Sequence, residues 1–178
     1  MFGFFILILS KIIIMNYEIR DMQTEDGAAV LEIFEEGITS GNSTFERAAP
    51  SWESWNQKFF SVCRYVLENA EGKVVGWAAL QPISKRECFR GVAEVSIYLT
   101  NDVQGKGLGS MLLQKLILGS EEHEFWTLQA GIFPENRPSV AVHQKLGFKI
   151  VGTREKIGEM NGIWRDILLL ERRSRIVG

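Results

Sequence analysis

The chain has 178 residues, 46% apolar and 24% charged with a formal net charge of −2, the size and balance of one soluble globular domain. Its 20 Lys and Arg are scattered among 22 acids without a basic stripe, which disfavours a nucleic-acid partner. Two cysteines (Cys63, Cys88) and two histidines (His123, His143) stand without metal-ligand spacing or disulfide density, which disfavours a zinc enzyme and fits a reducing cytoplasm.

Residues 1–14 (MFGFFILILSKIII) are almost wholly apolar. A membrane span needs about twenty such residues, and Lys11 interrupts these, so no stable membrane insertion is expected. A secretory signal would carry its charge ahead of the apolar stretch and a small-residue cleavage site behind it, and neither is present. Residues 1–14 therefore read as an extension ahead of a natural start at Met15, with a membrane-associating or partner-binding tail as the alternative. Residues 15–178 read as the domain.

From there the elements follow in order. Residues 17–22 alternate as a first strand, and Thr24 reads as the N-cap of a helix carrying Val30, Leu31, Phe34 and Ile38. The irregular loop Gly41-Asn-Ser-Thr-Phe-Glu46 leads to Pro50 and a short helix over 51–60. Residues 64–68 and 73–81 read as a hairpin around Asn69-Ala-Glu-Gly72, and 82–90 as a polar connection. An apolar strand over 92–99 meets a stop at Thr100-Asn101-Asp102; a glycine-rich loop and a helical run over 110–118 follow. Residues 127–133 form a strand ended by Pro134, 136–146 a helix closed by Gly147, and 148–155 and 163–170 a last strand pair across Gly158 and Gly162. Strands interleaved with helices predict a sheet covered on both faces.

The loop Gln104-Gly105-Lys106-Gly107-Leu108-Gly109 carries the chemistry. A strand that passes through glycines into a helix leaves bare N–H groups pointing one way, and the helix N-terminus favours negative charge there. This suits a phosphate or pyrophosphate, unless the glycines are only a turn before an ordinary helix. Neither the Walker loop nor the dinucleotide fingerprint fits the spacing. Glu94 is the general-base candidate: an acid within an apolar strand, where burial would raise its proton affinity, the plain alternative being pairing to Arg86 or Arg90.

The loop resembles the Q/R-x-x-G-x-G/A signature of the GCN5-related N-acetyltransferases, the GNAT family. So does the run Gly131-Ile-Phe-Pro-Glu-Asn-Arg-Pro-Ser-Val-Ala-Val-His-Gln-Lys-Leu-Gly-Phe148, a strand, N-x-x-S and a helix ending in K-x-G-F. Ala93 to Tyr98, Gly76-Trp77-Ala78, Asn136, His143 and the 41–46 loop are similar to the phosphinothricin and methionine-sulfoximine acetyltransferase subgroup. The likeness spans about residues 17–171.

This resemblance implies a single α/β (α+β) domain with a mixed, twisted sheet of about six to seven strands flanked by helices on both faces. It implies acetyl-CoA as cosubstrate, no metal, and direct attack by a primary amine in a ternary complex. Glu94 would take the amine's proton. Val95, Ser96, Ile97, Tyr98 and Leu99 would form a bulged, splayed strand binding the pantetheine arm and stabilising the oxyanion. Gln104, Gly105, Lys106, Gly107, Leu108, Gly109 and Ser110 would wrap the pyrophosphate, with Asn136 and Ser139 supporting the cofactor. His143 stands where many relatives carry a proton-donating tyrosine.

For the acceptor, Thr44, Phe45, Glu46, Trp77, Lys85, Arg86 and Trp164 are candidates, with Trp77 and Trp164 favoured as core aromatics. Arg86 would grip a substrate carboxylate. The acceptor implied is a small amino acid or analogue such as phosphinothricin, methionine sulfoximine or methionine sulfone, in a cytoplasmic homodimer that serves detoxification. Alternatives are a protein N-terminal, ribosomal-protein or polyamine acetyltransferase, or a non-catalytic CoA-binding module.

Overall fold

The computed structural model describes residues 16–178; the expectation for residues 1–14 lies outside them. The sheet has seven strands in the order β1-β2-β3-β4-β5-β7-β6: Tyr17–Asp21, Tyr65–Asn69, Val74–Pro82, Val92–Leu99, Thr127–Ile132, Ile163–Arg173 and Lys149–Met160. Helices α1 (Gly27–Thr39), α2 (Trp52–Lys58), α3 (Leu108–Glu122) and α4 (Arg137–Lys145) complete it. Neighbouring strands are antiparallel except β4 and β5, which run parallel. Both faces of the sheet are covered, which matches the expected layers.

Two cores explain those layers. On one face, Val30, Ile33 and Phe34 of α1 and Trp55 of α2 pack on Val66, Trp77 and Ala79. On the other, Leu112, Leu113 and Leu116 of α3 pack on Leu67, Leu80, Leu128 and Leu170. β3 is buried on both faces from Val74 to Leu80, so it reads as a continuous apolar run instead of alternating. Among the described residues no helix is long and apolar enough to cross a membrane.

Two expectations need correcting. α1 begins at Gly27 after a 3-10 turn over Thr24–Asp26, and Thr24 does not cap it. Instead, Asp26 accepts from the Gln23 N–H at 2.7 Å and from both terminal nitrogens of Arg20 at 2.8 and 2.9 Å. Arg20 is the main reason the Asp26 carboxyl sits below its usual range. The last hairpin is also longer than expected, because Asn161 (φ 54°) and Gly162 (φ 79°) make a two-residue turn of the Asn-Gly kind. Gly158 therefore lies within β6, where a side chain would strike the Phe45 ring at 2.5 Å.

Trp55 is fully buried against Trp52, Phe59 and Trp77, with ring centroids 4.9, 4.4 and 5.3 Å away. Removing that indole leaves a void that rigid neighbours cannot close. Trp55→Ala is expected to cost about 3–5 kcal/mol of unfolding free energy in a urea titration.

Candidate active site

The site begins where two parallel strands part. β4 and β5 pair only at Val92–Thr127, Ala93–Leu128 and Glu94–Gln129, after which both run on unpaired with each other. Against β3, in contrast, β4 stays in register to Leu99. Along 95–99 alternate residues therefore turn N–H and C=O groups away from β3 toward a strand that is no longer there. The expected splay is present, but the expected bulge is not: β4 carries no register shift against β3.

Glu94 sits at the fork. It lies opposite Gln81 on β3 and Gln129 on β5, so the three side chains share one face. Gln81 Nε2 donates to Glu94 Oε1 at 2.6 Å and Gln129 Nε2 donates to Oε2 at 3.1 Å. The carboxylate is thus held by two neutral amides, and neither Arg86 nor Arg90 pairs with it. Gln81 and Gln129 escaped the sequence reading because their role comes from register across three strands.

Two clefts meet beside this fork. The larger, about 520 Å³, is lined by Ile97, Tyr98, Leu99, Gln104, Gly105, Gly107, Gly109, Ser110, Asn136 and Ser139 from the expected cofactor set. Lys106 and Leu108 line neither cleft. Lys106 is exposed, and Leu108 is core at 3% exposure because the first turn of α3 must also anchor the helix. Gly107 caps α3 in the left-handed region (φ 81°) with no side-chain cap bond, so the first helical N–H groups stay open to a ligand. At Gly105 (φ 76°) and Gly107 a Cβ would meet nothing within 4 Å, so the loop has room for a bulky anion against its backbone. These residues fit a pyrophosphate.

The second cleft, about 300 Å³, holds Glu94, Val95 and Ser96 together with Thr44, Phe45, Glu46 and Trp77. Trp77 is fully buried and stacks on Tyr98 at 4.8 Å, so it is core and cleft wall together. Burial raises the Tyr98 phenol's pKa. Glu46 pairs with Lys58 at 3.3 Å. The loop carrying these residues is strapped across the site: Arg165 donates to the Gly41 carbonyl (3.1 Å) and to Asn42 Oδ1 (3.3 Å), and Phe45 packs edge-on against Phe133.

Three expected acceptor residues lie elsewhere. Lys85 and Arg86 are exposed on the β3–β4 connection, Arg86 lying over its neighbour Phe89 at 5.4 Å, and neither lines a cleft. The connection leaves β3 beyond Gln81, and its local contacts satisfy it there. Trp164 is 62% exposed near the hairpin tip, so it belongs neither to the core nor to the pocket. The cations that do line the acceptor cleft are Lys58, paired with Glu46, and Arg154 of β6, which no motif singles out.

His143 stands where the clefts meet, lining both. Its Nδ1 lies 2.8 Å from the Ser139 carbonyl, an acceptor only, so Nδ1 carries the proton. Nε2 is buried without a partner. Burial pulls the imidazole's pKa below its usual value. The neutral ring therefore carries its lone pair at the buried Nε2, and it can give a proton to a thiolate only after first accepting one there. Asn136 is committed at both ends: Oδ1 accepts from Ser139 N at 3.2 Å and Nδ2 donates to the Asn42 carbonyl at 3.0 Å. It is cap and strap anchor at once.

A third cleft of about 320 Å³ lies at Cys63 and Arg64 and shares no residue with these two. Burial pushes the Cys63 thiol up to about 12, and Arg64 is spent on the carbonyls of Asn56 and Phe59, so it offers no nucleophile. Among the described residues no three His, Cys, Asp or Glu gather as metal ligands.

The lowered pKa of His143 has a sign for stability. The unfolded chain binds the imidazole proton near pH 6.5 while the folded chain resists it, so stability is full above that pH and falls as pH drops. In His143→Gln the loss of unfolding free energy between pH 6.5 and 5 should shrink, by at most about 1.4 kcal/mol per pH unit, in urea titrations at each pH.

Comparison with known proteins agrees with this geometry. Residues 28–148 match the Acetyltransferase (GNAT) family. The chain is 29% identical over 162 residues to the L-methionine sulfoximine/L-methionine sulfone acetyltransferase of Pseudomonas paraeruginosa, covering 88% of this chain and 94% of that one. The crystal structure of a phosphinothricin acetyltransferase from Sinorhizobium meliloti in complex with AcCoA superimposes with a TM-score of 0.82 at 29% identity, covering 89% of each chain. A ribosomal-protein-alanine N-acetyltransferase from Brucella melitensis gives 0.80 at 30% identity, covering 88% of this chain and 99% of that one. With a matching fold, an uncapped glycine loop and a parted β4–β5 pair, this chain belongs to the GNAT family of acetyltransferases.

Proposed function

We propose that this protein transfers the acetyl group of acetyl-CoA to the α-amino group of a small amino acid or analogue, of the methionine sulfoximine, methionine sulfone or phosphinothricin type. The observation that carries this reading is Glu94 at the floor of a cleft of about 300 Å³ that opens onto the cofactor cleft. The relatives' names support the acceptor class. The strap over 41–46 and the cleft's modest volume favour a small acceptor over a protein N-terminus, which needs a long open groove.

Acetyl-CoA supplies an activated acyl carbon. The α3 N-terminus and the 105–109 backbone bind its pyrophosphate, and the unpaired main chain of 95–99 lies along its thioester arm. Any N–H of that stretch aimed at the acyl oxygen stabilises the charge that develops there. An amine at neutral pH is mostly ammonium, and Glu94 accepts the proton that must leave before attack. Gln81 and Gln129 keep the carboxylate aimed into the cleft. His143 Nε2 accepts a hydrogen bond or proton from the reacting nitrogen and passes it toward sulfur.

Acetylation of toxic amino-acid analogues would serve detoxification. Exposed Ile150, Val151, Ile157, Ile163 and Trp164 on the last hairpin give a homodimer an apolar face to cover. Two free cysteines suit a cytoplasmic setting.

Glu94→Gln keeps the side chain's shape but removes the base. Its turnover of L-methionine sulfone with acetyl-CoA should fall at least about 100-fold at neutral pH while coenzyme A affinity by calorimetry is unchanged. Undiminished turnover would remove Glu94 from the base role.

In Gly107→Val the strained left-handed backbone and the added bulk act on the cofactor loop. Coenzyme A binding should weaken about tenfold or more by calorimetry, through roughly 1–2 kcal/mol of backbone strain and lost approach.

A further inference from the structure

The acceptor cleft contains six titratable side chains: Glu46, Lys58, Glu94, Tyr98, His143 and Arg154, of which the Tyr98 phenol is kept neutral by burial. Lys58 and Glu46 neutralise each other at 3.3 Å. His143 is held neutral by burial and by its bond to the Ser139 carbonyl. What remains is one carboxylate, Glu94, tied only to neutral amides, and one guanidinium, Arg154, with no hydrogen-bond or ion-pair partner among the described residues. The neighbouring cation does not compete for the role. Arg165 is spent on Gly41, Asn42 and Glu135 and lies over the Phe133 ring at 4.1 Å.

A cleft with one free negative and one free positive charge complements a zwitterion. An α-amino acid presents that pair: an ammonium for Glu94 and a carboxylate for a planar, bidentate guanidinium. Phe45, Trp77 and Ile167 on the cleft wall then meet the side chain.

The position of Arg154 follows from backbone geometry. It pairs with Ile167 of β7, and the register then slips between Arg154 and Gly158. A bulge at this point re-aims the strand next to a site, as bulges beside active sites commonly do. The β6 edge thus reaches the cleft from the side opposite β3, whereas Arg86 lies on the β3–β4 connection and lines neither cleft.

We propose that Arg154 binds the acceptor's α-carboxylate and is the residue that makes the site select amino acids over simple amines. This rests on the amino-acid reading above and names the residue responsible for it.

The test compares L-methionine sulfone with its α-carboxamide as acceptors for wild type, Arg154→Gln and Arg154→Lys, with kcat and KM measured separately. The different basicities of the two amines cancel, because the same two compounds are compared across variants. Wild type should prefer the acid. Arg154→Gln should lose about 10- to 100-fold of that preference, chiefly in KM for the acid, with the carboxamide affected far less and coenzyme A affinity unchanged. Arg154→Lys should recover part of it, since it restores charge without the fork.

A preference retained in Arg154→Gln overturns the assignment and leaves the acetyltransferase reading standing. Equal loss for both acceptors also overturns it, by marking Arg154 as structural. If wild type binds coenzyme A yet acetylates neither compound, the amino-acid reading fails and this proposal fails with it.

Discussion

The structure turns on the point at which β4 and β5 stop pairing. Two parallel strands joined by three register pairs and then separated create what the rest of the site uses. A continuous ladder would satisfy the main chain of 95–99 and leave no wedge for a thioester arm. The separation costs strand hydrogen bonds, and α3 and α4 offset it by packing on the same side and covering the gap's flanks. β3 supplies the rigidity, since its seven buried residues and unbroken register with β4 keep the parted strand from following its partner.

That fork also explains why Glu94 is the proposed base. The last paired position is the last place where side chains from three strands stand in one row. Glutamines on both flanks can then hold a carboxylate from either side. One residue further along, the β5 neighbour is gone. Glu94 is thus the first side chain at the opening and the last with support on both sides.

Much of this was legible in the chain. Element order follows from hydrophobic period, and the open glycine loop before a helix was legible because only a few residue types permit that backbone. Asn136 was recognisable as a cap, and it is one. What escaped depends on register: Gln81 and Gln129 become partners of Glu94 only through pairing across β3, β4 and β5. Arg86, expected as carboxylate clamp, lines neither cleft for a related reason. It sits eight residues before Glu94, but a strand's connection turns away from the site that the strand builds. Trp164 misled through type alone, since a large aromatic at an extended hairpin tip has no core within reach.

Asn136 joins the cofactor side to the acceptor side. Its carbonyl end fixes the first turn of α4, whose Ser139 carbonyl in turn sets the His143 tautomer. Its amide end holds Asn42, and with it the strap that carries Thr44, Phe45 and Glu46 over the acceptor cleft. With one Nδ2 N–H given to the Asn42 carbonyl, Asn136 keeps its second N–H for a further acceptor. A side chain whose obvious role is to cap a helix therefore couples His143 to the strap over the second cleft. Movement of the strap would alter both together.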